Sequence, residues 1–176
     1  MIGLVALAVT GVTLGSWAQA LGVLPYLLSK AGRKELVLPA FYAYVIGAIL
    51  TTKPMSVYSS EGTIEAVLLA TTAFLVLDDV LRGPPLRKDE LPLGVLLSVS
   101  AFNSAALAVA LTGVTVGVAR LRFGRIARYL YLWIIATVAL LYLGRSTLQA
   151  PSSQALVIAG LALMFPVIVD FIESRR

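Results

Sequence analysis

The chain contains no cysteine and no histidine. Without imidazole or thiolate it lacks the usual ligands for haem and zinc, the means for disulfide exchange, and every nucleophilic or acid–base scheme built on a histidine. Most redox and hydrolytic mechanisms thereby lose their central residue, so neither a cofactor nor a resident metal is expected, and enzymatic activity is not expected. Charge is scarce too, at 13% of 176 residues, against about 25% in an average soluble domain. The missing thiols fix no compartment, because a membrane protein of this size needs no disulfide.

The scarcity is local. No charged side chain occurs from Met1 to Ser29, from Leu91 to Ala119 or from Ser146 to Val169. A run of about 20 apolar residues crosses a bilayer core roughly 30 Å thick, so these stretches suit hydrocarbon as their solvent. The net charge of +5 is carried by basic residues set between the apolar runs, a pattern that fits lipid headgroups and not nucleic acid. A single all-α membrane domain, multi-pass in the cell membrane, is the expectation. The first run has no basic segment ahead of it, and is expected to be a retained helix.

Six transmembrane helices are expected. Ile2 to Leu28 forms the first, ended by the basic loop around Gly32, and Leu36 to Thr52 the second, with Pro39 in its first turn. The third, Thr63 to Leu81, is bounded by Glu65 and the Asp78-Asp79 pair, and could instead lie at the interface. Arg82 to Glu90 reads as a linker, which divides the chain into units 1–82 and 91–176. The fourth helix covers Leu91 to Ala119, the fifth Ile126 to Gly144, and the sixth Gln154 to Ile172 with Pro166 inside it.

Thr10-Gly11-Val12-Thr13-Leu14-Gly15 reappears as Thr112-Gly113-Val114-Thr115-Val116-Gly117. Matching Phe74 to Phe165 also matches Asp79 to Asp170, although the two alignments differ in offset by 11 residues. If both echoes reflect duplication, the chain is two three-helix units, and an odd number of spans makes them inverted; biased Ala/Gly/Val/Thr composition is the alternative source of such matches. Gly11, Gly15, Gly113 and Gly117 form two GxxxG stripes that would let helices one and four pack closely. Basic residues divide seven to seven between the two faces for six spans, and nine to five if the third helix lies on the surface, so charge alone does not orient the bundle.

Few residues could carry chemistry. Asn103, with Ser98, Ser100 and Ser104 near it, and Gln19, with Ser16 and Thr13, are polar groups within uncharged runs. Each, like Thr115, either bonds a neighbouring helix or lines a solute path. Glu65, Asp79 and Asp170 could form an ion or proton site if buried, or sit among headgroups beside arginines. The three-plus-three layout, with glycine-rich first helices and a polar residue in helix four, resembles the lysine-exporter superfamily. That group's manganese exporters carry an aspartate in the first helix of each repeat, where this chain has Gln19 and Asn103. Three functions follow: a small transporter or channel for a solute or ion, working as a homo-oligomer; a non-catalytic subunit of a respiratory or secretory membrane complex; or a metal-dependent enzyme on lipid-linked phosphate, using Asp78, Asp79 and Asp170.

Overall fold

A computed structural model describes residues 2–51, 57–82, 91–123, 125–150, 153–154, 156–158 and 160. Among them all regular structure is helical. The helices are α1 (Ile2–Leu14), α2 (Val23–Lys30), α3 (Lys34–Thr51), α4 (Ser60–Arg82), α5 (Leu91–Ser100), α6 (Ser104–Phe123) and α7 (Arg125–Leu143), with a 3-10 segment at Trp17–Gly22. The expected second, third and fifth helices correspond to α3, α4 and α7. The expected sixth falls partly outside the described residues, and Pro166 and Asp170 lie wholly outside them.

The first and fourth helices differ from expectation, because each is broken. Gly15 takes a left-handed conformation, φ 60°, which a residue with a Cβ enters only at a cost. The Ser16 amide then donates to the Gly11 carbonyl at 3.1 Å and the Gly15 amide to the Val12 carbonyl at 3.3 Å. This pair of bonds is a Schellman closure, which satisfies two of the carbonyls stranded at a helix end. The same device ends α2, with Gly32 at φ 76°, Arg33 donating to Leu28 at 3.0 Å and Gly32 to Ser29 at 3.2 Å. The second break comes at Ala101–Asn103. There the Asn103 side-chain oxygen accepts from the Ala105 and Ala106 amides at 2.9 and 3.2 Å and starts α6 afresh as its N-cap.

After Gly15 the chain folds back along itself. On one straight helix Gly11 and Gln19 would stand about 12 Å apart along the axis, Leu7 and Gly22 about 22 Å, and Gly3 and Tyr26 about 34 Å. Instead, a methyl group on Gly11 would lie 3.2 Å from the Gln19 Cβ, one on Gly22 2.5 Å from Leu7 Cδ2, and one on Gly3 against the Tyr26 hydroxyl. The uncharged N-terminal run is therefore an antiparallel hairpin. Its first arm is α1, its second the 3-10 segment and α2, and its tip is Gly15.

The chain forms two compact units, residues 1–53 with 60–116, and 54–59 with 117–176. Of the expected dividing linker Arg82–Glu90, all but Arg82 lies outside the described residues. In the first unit α4 runs antiparallel to α1, pairing Thr72 with Thr10 and Asp79 with Gly3. Against the returning arm lies α3, where Tyr44 meets Gln19 and Gly47 lies beside Leu21. The core between these helices holds Leu7, Tyr26, Val37, Phe41, Tyr44, Ala48, Val76 and Val80. In the second unit the Tyr58 hydroxyl donates to the Leu141 carbonyl at 2.7 Å, and the Arg145 guanidinium lies 5.7 Å from the centre of the Tyr58 ring.

Among the described residues one helix, α3, is long and apolar enough to cross a membrane, and 28% of it is buried. The apolar helices Ile2–Leu14, Ser104–Arg120 and Ile134–Leu143 are shorter.

Candidate functional site

Three polar contacts cross the apolar core of the first unit at successive levels. At the open end of the hairpin, Asp79 Oδ2 accepts from the Gly3 amide at 2.8 Å and the Tyr26 hydroxyl at 3.1 Å. One carboxylate on α4 thus ties both arms together, and it sits at the amide-rich start of α1, where the helix dipole favours a negative charge. Asp78 and Asp79 are both buried. Gly3 is required here, because a Cβ would lie 2.7 Å from the Leu75 carbonyl oxygen, a backbone atom that cannot swing aside. Midway along α1, the Thr10 and Thr72 hydroxyls share a buried bond of 2.9 Å.

The third level is the tip. Gln19 is only 2% exposed, although on the 3-10 segment it stands between the exposed Trp17 and Leu21. Its Oε1 accepts from the Tyr44 hydroxyl at 2.8 Å. Among the described residues its Nε2 is buried without a hydrogen-bond partner, and so is the Ser16 hydroxyl beside the break. Each such group costs about 1–3 kcal/mol of desolvation while unpaired, so two at one chain reversal concentrate a deficit that a hydrogen-bonding ligand would relieve.

The other candidates are placed differently. Asn103 is exposed, and its side chain is engaged as the α6 cap, so it does not share a buried polar site with Gln19. Ser104, the first residue of α6, is exposed. Thr13 donates to the Val9 carbonyl at 2.9 Å and Ser100 to Leu97 at 2.9 Å, which satisfies each hydroxyl within its own helix. Thr115 keeps a buried hydroxyl without a partner, and Glu65 is half-buried on α4. Nor do the glycine stripes join helices one and four. Gly11 admits the returning chain, Gly15 forms the turn, and among the described residues no other element comes within 4 Å of where a Cβ on Gly113 or Gly117 would stand. Among the described residues no group of three or more acids could hold a metal ion.

Sequence reading missed Tyr44, which anchors Gln19, and Gln154, which is 1% exposed in the second unit. Gln154 accepts from the Val57 amide at 2.9 Å and donates to the Leu148 carbonyl at 2.8 Å. Both residues carry a polar end in an apolar stretch, the one signal that could have marked them.

No family model matches the chain, and neither a curated protein nor a solved structure is significantly similar to it. The layout resemblance to lysine exporters gains no support from these comparisons.

Proposed function

We propose that the chain is an integral membrane protein that carries or conducts a small solute or ion, with its binding position at the tip of the first hairpin. The observation that carries this reading is the pair of buried, unpartnered polar atoms, Gln19 Nε2 and Ser16 Oγ, at a break in an uncharged run. Irregular backbone at membrane depth is tolerated where it is enclosed by protein or lines a cavity, and interrupted helices are where transporters place their ligands.

The membrane setting draws support from the surface. On α3 the residues Leu36, Leu38, Tyr42, Ile46, Ile49 and Leu50 are all exposed, more apolar surface than water tolerates on one helix. On α7, Leu132, Ile135, Val138 and Leu143 are exposed likewise. At 13 residues α1 reaches about 20 Å, short of a hydrocarbon core of roughly 30 Å. The proposal therefore makes the first hairpin re-entrant: it dips in from one face and returns to it. Lys30, Arg33, Lys34 and Arg82 lie at the hairpin's open end, and no Lys or Arg occurs among the described residues near its tip. The open end is then cytoplasmic. This arrangement starts and finishes the first 82 residues on one face, so it keeps the polytopic bundle and drops the inverted relation between two three-helix units.

The test is osmotic swelling of proteoliposomes in potassium chloride, potassium nitrate, glycerol or urea, followed by light scattering. Faster swelling than empty vesicles in at least one solute supports the reading. Rates equal to empty vesicles in all four, with the protein purifying in stable complex with other subunits, would replace it with the accessory-subunit function.

A further inference from the structure

Resting on the transport reading, we infer that the hairpin-tip site takes a small, weakly hydrated anion and not a cation. The chemistry follows from which valences are left open. The buried Tyr44 hydroxyl makes its one hydrogen bond among the described residues to the Gln19 amide. Its proton goes to Oε1, since no other acceptor receives it among the described residues. The free end of the amide is then Nε2, which carries two N–H donors and no lone pair to offer. The second open group, the Ser16 hydroxyl, can also donate.

A cation would need converging oxygens, and three carbonyls at the break are already engaged. Interrupted helices offer cations their stranded carbonyls. Here the Gly11 carbonyl accepts from Ser16, that of Val12 from Gly15, and that of Ser16 from Gln19. The turn that makes the hairpin thus engages these three carbonyls and leaves the two N–H donors of Gln19 open. The buried carboxylates Asp78 and Asp79 stand at the hairpin's other end, where Asp79 is engaged with Gly3 and Tyr26. The eight helical steps of α1 from Gly3 to Gly11 separate that level from Gln19 by about 12 Å. Uncharged donors in a water-poor setting favour a monovalent anion with loose hydration, because stripping water from a divalent anion costs far more than two neutral donors return.

The experiment measures the reversal potential of wild-type protein in planar bilayers under a potassium chloride gradient, together with chloride and nitrate efflux from proteoliposomes. A potential on the chloride side, with efflux falling about tenfold or more in Gln19→Glu, is expected, since a donor to an anion becomes a repelling acceptor. Gln19→Glu preserves side-chain size, and Ser16→Ala provides a second variant that leaves the Tyr44 contact intact; its efflux should fall as well. A potential on the potassium side, swelling by glycerol or urea without anion efflux, or anion efflux unchanged in both variants overturns the anion assignment while leaving transport standing. Permeability to none of these solutes overturns the assignment and the transport reading together.

Discussion

The duplicated Thr-Gly-Val-Thr motif offers a comparison in which one substitution should have opposite signs at corresponding positions. Gly15 closes α1 at φ 60°, with no atom within 4 Å of where a Cβ would stand. Gly15→Ala therefore meets no steric contact and costs only the left-handed backbone, about 1 kcal/mol. Its counterpart Gly117 sits in the interior of α6, also with open space around a Cβ. Gly117→Ala removes the conformational freedom of an interior helical glycine and should stabilise by up to about 1 kcal/mol. The two variants should thus differ by about 2 kcal/mol, roughly thirtyfold in the unfolding equilibrium. Denaturation of detergent-solubilised protein by sodium dodecyl sulfate, followed by helical circular dichroism, reads both. Gly15→Asn should recover part of the loss, because asparagine tolerates that conformation. Stabilisation by Gly15→Ala would refute the reversal at Gly15, because an unbroken helix gains from alanine there.

Other variants probe the remaining contacts in the same unfolding assay. Gly3→Ala drives a methyl group against the Leu75 carbonyl and should cost about 1–3 kcal/mol, whereas Gly22→Ala meets the movable end of Leu7 and should cost less. Asn103→Ala removes the α6 cap and should lower stability by about 1 kcal/mol, with Asn103→Ser retaining most of it. In the second unit, Gln154→Leu leaves the Val57 amide and the Leu148 carbonyl without their partner and should cost about 2 kcal/mol.

The helical class and the helices α3, α4 and α7 were legible because shorter apolar stretches between charged borders each match one helix, whereas the long uncharged runs 1–29 and 91–119 are the ones that break. The end of α2 was legible also, since Gly32 stands in a basic loop where a stop is expected. Gly15 closes its helix by the same pair of bonds, yet it sits inside a run of apolar residues. Apolar surroundings make such a glycine look like a packing residue, and only the return of Gln19 and Tyr26 along α1 gives it its meaning. Asn103 misled in the complementary way. An amide in an uncharged run suggests a partner on another helix, whereas a break in the helix lets it bond its own backbone at short range. Of the candidate site, Gln19 and Ser16 were visible as polar residues in the first run. That the free end of the Gln19 amide is its donor was not, because it depends on the bond from Tyr44.

The central claim is that the first apolar segment turns back at Gly15, so that its two ends share one membrane face. The cysteine-free chain permits a direct measurement: single cysteines attached at the N-terminal end, at Ala31 and at Ser60, each labelled in sealed vesicles with a reagent that does not cross the bilayer. The account predicts that the N-terminal and Ala31→Cys positions label from the same face and Ser60→Cys from the other. Labelling of the N-terminal position together with Ser60→Cys, opposite Ala31→Cys, would contradict it.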